Sequence, residues 1–110
     1  MSRVKHVTLE SFESEVLHSN VPVIVDFYAD WCGPCRMLAP TLEKVALAYD
    51  GQVKIVKVNV DDESELAGQF SVSSIPTLAF VINGEVVGQS AGVASERDLS
   101  GVIEQMIAVA

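Results

Sequence analysis

The only two cysteines of this chain, Cys32 and Cys35, stand in FYADWCGPCRMLAP (27–40), separated by Gly33 and Pro34. Three chemistries use such a pair. A structural disulfide over so short a loop adds only about 2 kcal/mol by chain entropy, against about 4.7 for a hundred-residue loop. A zinc site needs about four ligands. No further cysteine exists, and the histidines, His6 and His18, lie upstream and outside the H-x3–5-H spacing. A redox pair needs only what is present. One thiolate attacks a disulfide, and a second thiol held beside it releases the reduced product.

The flanking residues favour that last chemistry. Cys32 follows an apolar run and opens a helical segment, and Pro34 suits a first helical turn because its missing N–H costs nothing there. At a helix N-terminus the unpaired N–H groups and the dipole stabilise a thiolate and lower its pKa. Cys35 falls about one turn later, within reach of a disulfide.

Two charged residues sit inside apolar runs. Asp26 lies between Val25 and Phe27, and Lys57 between Val56 and Val58. An aspartate is almost never buried unpaired. Burial would raise its pKa and a nearby cation would oppose the shift, which makes Lys57 a candidate partner. The residues alone leave open a plainer reading, in which Asp26 faces a loop or caps an element.

The elements that must hold these groups alternate along the chain. Residues 3–7 read as a short edge strand. Thr8 is a plausible N-cap for a helix over 9–19, with Leu9, Phe12, Val16 and Leu17 at helical spacing. Residues 22–28 are continuously apolar apart from Asp26, the mark of a strand covered on both faces. A long helix then runs from the cysteines to about residue 49, with Pro40 expected to kink it. Residues 53–60 and 77–82 read as further strands. Between them, residues 61–70 read as a short helix with acidic residues in its first turn. Asn83-Gly84 is a two-residue hairpin signal leading into 85–90. Ser95 caps a last helix over 96–109, whose Leu99, Val102, Ile103, Met106 and Ile107 form one apolar stripe. The order β-α-β-α-β-α-β-β-α points to an α/β chain, a mixed sheet with helices on both faces.

Bulk properties agree. The chain has 110 residues, 49% hydrophobic and 20% charged, which suits one globular domain with a core of its own. A net charge of −8 argues against a nucleic-acid partner. MSRVKHVTLE lacks the apolar stretch of a secretory signal, and the run VPVIVDFYA is too short to span a membrane. The expected location is the cytoplasm, where a close cysteine pair is catalytic or metal-binding rather than structural.

WCGPC, preceded by VDFYAD and followed by RMLAP, resembles the thioredoxin family. Asp26, Lys57, the Ile-Pro-Thr of 75–77, the Asn-Gly-Glu of 83–85 and Gly92 also fall where that family has equivalents, so the resemblance spans nearly the whole chain. It implies a thioredoxin fold over residues 1–110, a central mixed sheet of about five strands flanked by about four helices. It implies a protein-disulfide reductase and electron carrier for cell redox homeostasis, working through Cys32 and Cys35. Asp26 would exchange a proton with Cys35, with Lys57 beside it. From the residues alone, Ile75-Pro76 is an ordinary trans turn; the resemblance implies a cis Pro76 facing the cysteines. The backbone of Ile75 would pair with an extended substrate. Trp31, Gly33, Pro34, Ile75, Pro76 and Gly92 would form a largely apolar docking surface, with Val60, Ala91 and Val93 at its rim. Gly92 reads either as a turn glycine or, by its family position, as a place of close backbone approach.

The implied partners are a thioredoxin reductase and oxidised proteins such as ribonucleotide reductase, peroxiredoxin or methionine sulfoxide reductase. The implied state is a monomer without a cofactor; no G-x-G-x-x-G or P-loop is present to bind a nucleotide. Tyr28 stands where the family often has tryptophan, Arg36 where it often has lysine, and Ser73-Ser74 where many relatives have a glycine. The competing hypothesis is a redox-inactive docking module using the Trp31/Pro76 groove. Its binding would survive Cys32→Ser.

Overall fold

Two apolar runs, VIVDFY and TLAFVI, lie side by side at the centre of the sheet, so their residues are covered from both faces. The computed structural model describes residues 2–110. In chain order these form β1 (Lys5–His6), α1 (Leu9–Phe12) running on into a π-helical turn (Glu13–Leu17), β2 (Val23–Tyr28) and α2 (Gly33–Ala48). There follow β3 (Lys54–Asn59), α3 (Ser64–Gln69), β4 (Thr77–Ile82), β5 (Glu85–Ala91) and α4 (Glu96–Val109). The five strands order β1-β3-β2-β4-β5. β3 runs parallel to β1 and β2, while β4 is antiparallel to both β2 and β5. This is the expected mixed sheet.

Strand side chains alternate between faces, and each face buries its own cluster. Val23, Val25 and Phe27 join Val56, Val58, Ala79 and Val81 under Phe12, Val16 and Leu66. Ile24, Ile55, Leu78 and Phe80 pack under Leu38, Leu42 and Val45 of α2 and Leu99, Ile103 and Met106 of α4. Asp26 and Lys57 are directly paired across β2 and β3. By alternation they share the face of α2.

Local signals act where expected, with two departures. Thr8 caps α1 in a box with Ser11: the Ser11 N–H donates to Thr8 Oγ1 at 3.3 Å, and the Thr8 N–H to Ser11 Oγ at 2.9 Å. The uniform helix over 9–19 does not form. After Phe12 the chain widens, and the His18 N–H reaches the Glu13 carbonyl at 2.9 Å. That turn keeps Phe12 and Val16 against the sheet while Leu17 faces out. Asp61 and Asp62 precede α3 rather than filling its first turn, because Asn59 Oδ1 takes both their N–H groups (2.9 and 3.4 Å) and holds a turn there. α2 runs unbroken through Pro40. Pro40 and Arg36 both face solvent, so the carbonyl freed at Arg36 can be hydrated.

Asn83 and Gly84 both have positive φ (51° and 80°), as a type I′ hairpin needs. A Cβ on Gly84 would also lie 3.0 Å from the Leu17 carbonyl oxygen, so the turn has room only for glycine. Ser95 Oγ accepts the Asp98 N–H at 3.0 Å and starts α4 at its expected place.

Candidate active site

β2 ends at Tyr28, and a short turn carries the chain to α2. The Cys32 N–H donates to the Ala29 carbonyl at 3.2 Å, and Arg36 Nη1 donates to the Asp30 carbonyl at 2.7 Å. Cys32 is the N-cap residue of α2, with Gly33 and Pro34 as the first helical residues. Its sulfur does what a capping oxygen does elsewhere: it accepts the Cys35 N–H at 3.2 Å. Cys32 and Cys35 are joined as a disulfide, with Cα atoms 5.3 Å apart. Both are buried, packed with Ala29 against Tyr28, Val60 and Ile75. On reduction, the helix N-terminus that now points at Cys32 Sγ would hold a thiolate.

Below the disulfide lies a polar pocket in an apolar layer. A cavity of about 170 Å³ is lined by Asp26, Tyr28, Ala29, Cys35, Arg36 and Lys57, among others. It brings the sequence's two buried-charge candidates and the second cysteine to one place. Asp26 is 4% exposed, and its Oδ1 has no hydrogen-bond partner among the described residues. Burial pushes its carboxyl up to about 7, and the positive charge of Lys57 offsets part of that rise. Lys57 is half-buried, with its ammonium 5.7 Å from the centre of the Tyr28 ring.

The groove residues gather above. The Ile75-Pro76 peptide is cis. The Ile75 carbonyl oxygen lies 3.8 Å from Cys32 Sγ. Trp31 and Pro34 are exposed, Gly33 and Ile75 half-buried, Pro76 buried. The Gly92 N–H donates to the Pro76 carbonyl at 2.8 Å, tying the end of β5 to the start of β4. Gly92 has φ 90°, yet an added Cβ would meet nothing within 4 Å. Its conformation therefore calls for glycine, while the surface beside it is open. Val60 packs beside the cysteines; Ala91 and Val93 are exposed.

Two neighbours escaped the sequence reading. Trp31 Nε1 donates to Asp61 Oδ2 at 2.8 Å, which fixes the exposed indole beside the disulfide. The acidic run 61–65 carried no sign of this, since its residues read equally well as a helix start. His6 joins Tyr28 by a 3.2 Å hydrogen bond, a contact across 22 residues of sequence.

The Thioredoxin family matches residues 3–105. The chain belongs to the thioredoxin family. It is 47% identical over 107 residues to "Thioredoxin" of Haemophilus influenzae, covering 97% of this chain and 100% of that protein. It is 45% identical over 105 residues to "Thioredoxin 1" of Nostoc sp., covering 96% and 98%. Against "Thioredoxin, mitochondrial" of Bos taurus it is 42% identical over 96 residues, covering 87% of this chain and 58% of that protein. As a member of the thioredoxin family the chain is a thiol-disulfide oxidoreductase, and the Cys32–Cys35 pair is placed for dithiol-disulfide exchange. Nothing in the site favours the redox-inactive docking module. Among the described residues, no helix is long and apolar enough to cross a membrane.

Proposed function

We propose that the chain reduces disulfides of other proteins in the cytoplasm as a single-domain monomer over residues 1–110. The observation that carries this reading is the bonded cysteine pair at the start of α2, with Cys32 Sγ receiving the helix N-terminal N–H. In the reduced chain, the Cys32 thiolate attacks one sulfur of a substrate disulfide. A mixed disulfide forms, and the other substrate sulfur leaves as a thiolate. Cys35 then attacks Cys32 Sγ, re-forms the Cys32–Cys35 bond, and releases the second substrate thiolate. Two electrons pass to the substrate, and both substrate sulfurs become thiols.

Cys35 must lose its proton for the second step. Asp26 shares a cavity with it, and a carboxyl titrating near 7 can take a proton at neutral pH. The cavity has room for a water to relay it. Lys57 moderates that carboxyl from the neighbouring strand. Trp31, Gly33, Pro34, Ile75, Pro76 and Gly92 form the docking surface, with the Ile75 backbone pairing an extended substrate segment. A thioredoxin reductase restores the dithiol. Ribonucleotide reductase, peroxiredoxin and methionine sulfoxide reductase are the substrates the family reading suggests.

Insulin reduction with dithiothreitol as electron source tests the reading, with Cys32→Ser expected to fall to the uncatalysed rate. Cys35→Ser is expected to accumulate a mixed disulfide through Cys32. Without such an adduct the two-step route fails.

A further inference from the structure

Lys57 has a choice of neighbours. Across the sheet it sits in register with His6 on β1 and with Asp26 on β2. Its ammonium nevertheless makes no ion pair with Asp26 among the described residues. It lies instead over the ring of Tyr28, which stands two residues beyond Asp26 on the same face of β2. The Tyr28 hydroxyl Oη shares a 3.2 Å hydrogen bond with His6 Nδ1. The His6 ring itself leans on the Tyr28 ring, with centroids 5.9 Å apart.

We propose that Tyr28 is a positioning residue: its ring, steadied by His6, holds the Lys57 ammonium off the buried Asp26 carboxyl. The inference deepens the reading of Asp26 as the proton acceptor and rests on it for its catalytic meaning. An aromatic face attracts an ammonium, the more so where water is partly excluded. Without it, the lysine's natural partner is the carboxylate directly across the strand pair. A cation brought to within ion-pair distance lowers a carboxyl by roughly 1–3 pH units. A tight Asp26–Lys57 pair would therefore leave a weaker base at neutral pH. By keeping the pair apart, Tyr28 keeps Asp26 titrating where the resolving step needs it.

The other charged groups around this centre do not replace Lys57. Arg36 of α2 is exposed and donates to the Asp30 carbonyl. Asp30 is exposed at the cavity rim. Glu43 of α2 feels the Lys57 charge, but its carboxylate accepts from Ser2 Oγ and the Arg3 N–H. Cys35 faces the cavity as half of the disulfide.

The test is the Asp26 carboxyl titration, followed by carbon NMR in the oxidised chain, where no thiol titrates beside it. Tyr28→Met keeps apolar bulk and removes the ring; the midpoint is expected to fall from about 7 by roughly 1 unit or more. Tyr28→Phe keeps the ring but loses the hydrogen bond to His6, and is expected to lower the midpoint by less than Tyr28→Met does. In a Lys57→Met background the Tyr28→Met change is expected to leave the midpoint unmoved. An unchanged midpoint in Tyr28→Met overturns the proposal. So does an equal fall with and without Lys57, which would mean that water entering the cavity, not the lysine, acts on Asp26. If Tyr28→Met does not fold, Tyr28→Leu carries the same comparison. The pH profile of insulin reduction separates the two claims. A shifted titration with an unshifted rate profile leaves Tyr28 its positioning role and removes Asp26 from the mechanism.

Discussion

The two faces of the central strand pair are built from the same few residues and behave differently. On one face Val23, Val25 and Phe27 meet Val56, Val58 and three aromatic or aliphatic helix residues, with no charge among them. Phe27 and Phe12 both pack on Phe70, with ring centroids 5.1 and 5.5 Å away. On the other face Ile24 and Ile55 begin in the same way, but the next residues along are Asp26 and Lys57, then Tyr28 and Asn59. That face passes from apolar core to polar cavity within one strand length, and the disulfide sits above the polar end. A sheet needs only part of its buried area to hold it together. The remainder can carry groups that cost stability and supply chemistry.

Phe27→Ala tests the first half of this contrast and carries the largest expected stability effect. It removes a fully buried ring and should cost about 3–5 kcal/mol in denaturant unfolding. The folded fraction is expected to keep the parent's rate of disulfide reduction, because no part of Phe27 lines the cavity.

Asp26→Asn should do the reverse. Its carboxyl titrates near 3.8 in the unfolded chain and at about 7 in the folded one. Between those values the folded chain keeps a proton that the unfolded chain has released. Stability therefore falls as pH rises from about 4 to about 7, then levels off. The asparagine variant should lack that slope and be more stable by about 4 kcal/mol at pH 8, read from urea unfolding at a series of pH values. Its resolving step should be slower. Equal turnover of a protein disulfide by parent and variant across pH 6–8 would remove Asp26 from the mechanism.

Lys57→Met sharpens the contrast further. Without the opposing charge, the Asp26 midpoint is expected to rise above about 7, extending the stability slope to higher pH. Carbon NMR titration of the oxidised chain measures it. The smallest effect belongs to Asp61→Asn, at the surface. It weakens the hydrogen bond to the Trp31 indole at an exposed site, worth roughly 0.5–1 kcal/mol. A few-fold rise in KM for a protein disulfide with kcat unchanged is expected, together with a change in tryptophan fluorescence.

Much of the architecture was legible because its causes are local. Asn83-Gly84 names its own turn, since both positions need positive φ. Ser95 and the stripe Leu99, Ile103 and Met106 mark where α4 starts and which side it buries. The apolar neighbours of Asp26 and Lys57 marked both as candidates for burial but left open a loop or cap position for Asp26; the paired register of β2 and β3 places Asp26 inside and Lys57 half-buried beside it. The first helix was less legible. Its apolar spacing fits a regular helix, and only packing on the sheet shows that a wider turn follows Phe12. Asp61 read as a helix-start acid because that role needs no partner, whereas its bond to Trp31 crosses 30 residues.

Cys32 and Cys35, their spacing and the helix they open were decided within a few consecutive residues, because capping, dipole and loop length are short-range effects. Whether Lys57 would grip Asp26 or lean on Tyr28 was not decided there. Register sets both neighbours within the lysine's reach, and His6, arriving from an edge strand, steadies one of them. A side chain's choice between two partners depends on distances that only the assembled sheet defines.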